Sequence, residues 1–194
     1  MFQPKTPNMS HHLTILQALL LSISALAMAS LTQNSHGSHA PGPRKKSIDD
    51  RSAAELIEAL NLIPNVEQGF FVETFRDEFT SGTATNRSAS TAIYYLLEGK
   101  VGWSAWHKVD AAEVWHYYAG APLTLSLSTN DGVGTRNVVL GREIFNGEKP
   151  QVVVQRGEWQ RARSTGKWTL VGTTVAPGFV ESGFELAPPG WMPT

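Results

Sequence analysis

His107 and Glu113 stand on either side of a short turn, Asp110-Ala111-Ala112, with aromatic residues before and after them. A neutral imidazole and a carboxylate brought together in apolar surroundings are either two ligands of a divalent metal or an acid/base pair. Strand parity assigns their faces. His107 and Val109 point one way, Trp106 and Lys108 the other. On the following stretch Glu113, Trp115 and Tyr117 share one face, and His116 and Tyr118 take the opposite one. With the turn closing the two strands into a hairpin, His107 and Glu113 meet across it. Both are candidate catalytic residues. Trp115 and Tyr117, on Glu113's face, are candidate ligand contacts. His116 points away and reads as a core or interface histidine.

Upstream, Arg87 could clamp an anionic ligand, since a guanidinium pairs bidentately with carboxylate or phosphate; a structural salt bridge is the competing role. Parity leaves open which of Tyr94 and Tyr95 faces a pocket, and Tyr94 is the candidate contact. Glu73 reads as a surface residue with an inward alternative.

The elements that must position these side chains are short. Ser52 with Glu55 has capping-box spacing, and Leu56, Ile57, Leu60 and Leu62 form an apolar stripe, so a short helix is expected there, lying outside a barrel and ending over Asn61 to Pro64. After Gly69 the period changes to strands: 70–79, 88–97, 101–109, 113–118, 123–128, 138–140, 151–155, 159–163, 168–175 and 184–186. Asn130-Asp131-Gly132 is a hairpin signal, because Asn and Gly tolerate positive φ. Regularly spaced short strands with no second helical pattern predict an all-β sandwich or barrel.

Composition narrows the classes further. The 194 residues suffice for one domain with a sizeable core plus an extension. A net charge of −1 argues against a nucleic-acid footprint. With no cysteine, disulfides, thiolate catalysis and Cys-based zinc sites are excluded. Residues 1–29 form a signal-like apolar segment. Its run from Leu13 to Leu31 ends near Ala27-Met28-Ala29, the small-residue pattern that signal peptidases accept. A secreted protein is expected, with a cytoplasmic one as the alternative; the membrane enters only if residues 13–31 are an uncleaved anchor. Residues 30–50, rich in Ser, His, Gly and Pro, read as a flexible linker. Asn8 and Asn86 head N-glycosylation sequons.

Gly102, His107, Glu113 and Gly120 resemble the first motif of the cupin superfamily, with the leading glycine one position late and Val109 in place of the second histidine. Gln155-Arg156-Gly157-Glu158-Trp159-Gln160 resembles the second motif, with Gln155 for its proline and Gln160 for its histidine. Segments 62–67, 87–97, 106–110, 113–123, 157–160, 175–179 and 183–187 are together similar to the fifth cupin-type domain family, which has no established activity. The resemblance covers roughly residues 52 to 190 and implies a double-stranded β-helix (cupin jelly roll) over a 51–194 domain, a homodimer, and a pocket around His107, Glu113 and Gln160. A full cupin metal site has three imidazoles and a carboxylate. Here His107, Glu113 and the Gln160 amide oxygen would form a loose site for Mn, Fe, Ni or Zn. Alternatively the three residues hydrogen-bond a small organic ligand, or simply satisfy one another. The expected function is binding of a small polar metabolite in the barrel, with epimerase- or isomerase-like or metal-assisted catalysis, or a non-catalytic ligand-binding module.

Overall fold

The computed structural model describes residues 45–80 and 87–194. The signal-like segment, residues 30–44 of the linker and both sequon asparagines lie outside the described residues.

The helix forms where the sequence signals it. In α1 (Ala53–Ala59) the Ser52 hydroxyl accepts from the Glu55 backbone N–H at 3.2 Å, and the Glu55 carboxylate accepts from the Ser52 N–H at 2.8 Å. Its apolar stripe packs on Leu96, Trp168 and Leu170, on the outside of a sheet. The strands follow as β1 (Ile63–Pro64), β2 (Phe70–Arg76), β3 (Thr91–Glu98), β4 (His107–Val109), β5 (Ala112–Gly120), β6 (Leu123–Ser128), β7 (Arg136–Leu140), β8 (Gln151–Val154), β9 (Trp159–Ser164), β10 (Trp168–Ala176) and β11 (Phe184–Leu186). They form two sheets, ordered β1-β2-β3-β10-β5-β8 and β11-β4-β9-β6-β7. No helix among the described residues is long and apolar enough to cross a membrane.

Three expectations change. The strand read over 101–109 is only three residues long, because Gly99–Val101 makes a 3₁₀ turn and Gly102 adopts φ 81°. The 30–50 segment is not linker to its end: Ile48–Asp50 forms a 3₁₀ turn, and Asp49 accepts from Gly120 N–H (3.0 Å) and from Arg142 (2.9 Å). Most important, Asp110-Ala111-Ala112 does not close a hairpin. β4 pairs with β9 and β11, whereas β5 pairs with β10 and β8. The turn carries the chain from one sheet to the other, so His107 and Glu113 sit on facing inner surfaces and approach across the sandwich.

One end of the interior is filled and the other is open. Leu123, Leu125, Leu127, Leu140 and Val171 are fully buried and close the first end. At the other end smaller or polar inward residues, among them Thr91, Glu113 and Thr173, leave a cavity of about 920 Å³. A single inward row on β3 spans both regions: Thr91 and Ile93 line the cavity, Tyr95 and Leu97 belong to the core.

Candidate functional site

At the floor of the cavity an imidazole lies between two carboxyl groups. His107, 3% exposed, is held by a ring stack on Phe184 (5.6 Å between centroids). Its Nδ1 lies 3.1 Å from the Ala105 carbonyl oxygen. A carbonyl can only accept, so Nδ1 carries the proton and the Nε2 lone pair is left free. Nε2 faces Glu67, whose Oε2 is 3.4 Å away.

Glu67 had no role in the sequence reading. It projects from a tight turn over Asn65–Gly69, closed by hydrogen bonds from Asn65 N–H to Gly69 O (2.9 Å) and from Gln68 N–H to Asn65 O (3.0 Å). The turn needs left-handed backbone: Gln68 has φ 86° and Gly69 φ 74°. A non-glycine residue there stores strain, and here the Tyr95 hydroxyl fixes it by donating to Gln68 O at 3.0 Å. The sequence hint was an acid just ahead of a glycine between helix and first strand, inside a segment already similar to the family.

Glu113 is fixed from the opposite sheet. Gln160, fully buried, donates from Nε2 to Glu113 Oε2 at 2.5 Å and accepts from Trp115 Nε1 at 2.9 Å. Burial sets the protonation of all three groups. It pushes the Glu67 carboxyl up to about 8, so Glu67 holds its proton at neutral pH. It raises Glu113, opposed by the neighbouring His107 and the Gln160 hydrogen bond. It lowers His107, opposed by Glu113. The floor therefore combines a neutral base, a neutral acid and a carboxyl whose ionised form Gln160 stabilises.

The walls are apolar, built from Phe71, Ile93, Val109, Val175, Phe179 and Phe184. Glu73, read as a surface residue with an inward alternative, lines the cavity with Arg76. The two form a bidentate pair (2.6 and 2.9 Å), and Arg76 also donates to Phe179 O at 3.2 Å.

The other sequence candidates are placed as follows. Gln160 supports Glu113 and does not line the cavity. Trp115 faces inward, edge-on to Tyr95 at 5.8 Å, and also stands behind the wall. Tyr117 lies toward the far end of β5, where its hydroxyl donates to Gly120 O and accepts from Arg142. Tyr94 takes the outer face of β3, edge-on to Tyr118 at 5.9 Å, because inward parity on that strand belongs to Ile93 and Tyr95. Arg87 is engaged by Asp110 (2.9 and 3.0 Å) and by Gly178 O, and does not reach the cavity.

Two facing sheets in this order, with a polar floor in one end of the sandwich, make a double-stranded β-helix of the cupin type. The family described as Cupin superfamily (DUF985) matches residues 54–187, and the chain belongs to it. Among solved structures, a Shewanella oneidensis protein is similar at 32% identity and TM-score 0.65, covering 71% of this chain and 85% of that one. A hypothetical protein from Leishmania major matches at 27% identity and TM-score 0.64, covering 70% and 86%. Bacillus subtilis oxalate decarboxylase aligns at 12% identity and TM-score 0.47, over 66% of this chain and 30% of that one. No curated protein matches the chain.

The donor set does not fit the metal centre that the cupin fold implies. The Gln160 amide oxygen is committed to Trp115 Nε1, and its amino group faces Glu113. Rotating the amide to present oxygen to a metal would leave the buried indole N–H without an acceptor. Among the described residues no group of three or more His, Cys, Asp or Glu side chains is arranged to hold a metal ion.

Proposed function

We propose that the protein is an isomerase-like enzyme that moves a proton on a small polar metabolite bound in this cavity. The observation that carries the reading is the His107 imidazole, its Nε2 free, set between the buried Glu113 and the half-buried Glu67 at the floor of an apolar-walled cavity. Nε2 takes a proton from an acidic C–H of the substrate, and the Glu113 carboxylate stabilises the imidazolium. Glu67 gives its proton to the substrate oxygen that gains charge. In the enol intermediate the imidazolium and the Glu67 carboxylate stand 3.4 Å apart. The imidazolium then protonates carbon while Glu67 takes back the proton from oxygen, so both groups end as they began. No step runs through a metal.

The test is incubation in deuterium oxide with a panel of small polyols, hydroxy ketones, hydroxy acids and amino compounds, read by mass spectrometry. At least one compound is expected to gain one deuterium on carbon. The rate should fall by about 10²–10⁴ in His107→Gln, the range for loss of a general base. A compound that binds but never exchanges would make the cavity a non-catalytic ligand-binding module.

A further inference from the structure

We propose that the ligand of this cavity carries a protonated amine on an apolar body, its ammonium seated against Glu113 at the floor and its body among Phe71, Phe179 and Phe184. The inference rests on the cavity being the ligand site proposed above, and it adds the ligand's charge.

The charge inventory of the lining is one-sided. Four carboxyl side chains, Glu67, Glu73, Glu113 and Glu181, face the cavity against one guanidinium, Arg76. That guanidinium is spent, held bidentately by Glu73 and capped by Phe179 O. Arg87 is equally engaged, by Asp110, and does not line the cavity. Among the described residues no unpaired cationic side chain therefore faces the ligand space. A phosphate or carboxylate would lose its hydration and meet carboxyl groups instead of partners, a cost that apolar walls increase.

An ammonium finds what an anion lacks. Its three N–H groups need acceptors. Glu113 offers a carboxyl whose ionised form the Gln160 N–H stabilises. Glu67, even protonated, keeps an acceptor oxygen. His107 Nε2 is then left to face the carbon beside the nitrogen, where the proton transfer proposed above would occur. The aromatic walls cover an apolar body and exclude water, which strengthens the ion pair at the floor.

The test uses three probes with one body and three charges: benzylamine, benzyl alcohol and benzoate, titrated into the full chain near pH 7.5 by calorimetry. Benzylamine is expected to bind saturably and at least roughly ten-fold more tightly than benzyl alcohol, with no saturable binding of benzoate. Glu113→Gln, which keeps the shape and removes the charge, should erase the preference for the amine. The wild-type ranking decides the proposal even if that variant fails to fold. Benzyl alcohol or benzoate binding as tightly as benzylamine overturns it, and so does absence of saturable benzylamine binding. The two proposals fail separately: deuterium uptake by a neutral or acidic compound would keep the proton-transfer reading and remove the amine.

Discussion

Glu67 shows how one half-buried carboxyl sets the pH response of the molecule. Its folded value near 8 lies above the ordinary carboxylate value of 4.5, so between those two the folded state binds more protons than the unfolded one. Stability therefore falls as pH rises through this window, by at most about 5 kcal/mol at 1.36 kcal/mol per unit, and flattens above it. His107, lowered by burial, acts in the opposite direction below its ordinary value of 6.5. A difference measurement separates the two. Glu67→Gln is expected to match the wild type near pH 4 and to exceed it at pH 9, as read by denaturant midpoints across the range. The same variant should slow deuterium uptake by substrate, because the acid is gone. Beyond its place in a family-like segment, Glu67 gave little signal for a physical reason: a turn has no hydrophobic period, so nothing in the pattern around Asn65 to Gly69 says which side chain points inward.

Among the elements, strand parity was the part that sequence could carry, and it carried the pairing of His107 with Glu113. Parity fixes which side chains share a face, but not which sheet a strand joins. The short link at Asp110 to Ala112 looked like a hairpin because hairpins are the common use of such a turn. What makes it a crossover is the pairing of β4 with β9 and β11, contacts that are distant in sequence. Gln160 was likewise found by its motif position, yet its role as a prop needed the buried indole of Trp115, placed by a strand of the facing sheet. The Asn65–Gly69 turn gives the test at this scale. At Gly69 a Cβ would lie 2.6 Å from the Leu96 carbonyl oxygen, on backbone at φ 74°. Gly69→Ala should cost about 1–3 kcal/mol, from strain and displaced backbone. Substrate exchange should fall further than the lost stability accounts for, since the turn carries Glu67.

At the scale of the whole molecule, the two sheets, the short helix on the outside and the cupin-type order were all legible, because strand spacing, the capping box and several motifs in order agreed with one another. The homodimer implied by family resemblance remains a proposal. β1, only two residues long, leaves one edge of the larger sheet lightly covered, and Phe75 and Phe79 stand half or more exposed nearby. Sedimentation velocity is expected to find two chains together, and Phe75→Glu with Phe79→Glu should shift them toward one; a monomeric wild type would remove the proposal.

The indole of Trp115 has a consequence beyond support. Its N–H ends on Gln160, whose other end holds Glu113, so a change of charge on the carboxylate is felt two hydrogen bonds away at a single nitrogen. The chain has six tryptophans, and therefore six indole resonances in a ¹⁵N-labelled sample. Of these, the Trp115 signal alone is expected to follow the titration of Glu113 and to move when a cation enters the cavity. It offers a spectroscopic gauge of the site's electrostatics that needs neither substrate nor label beyond the isotope. A Trp115 signal that stays fixed while the cavity fills would show that no cation has come to rest against Glu113.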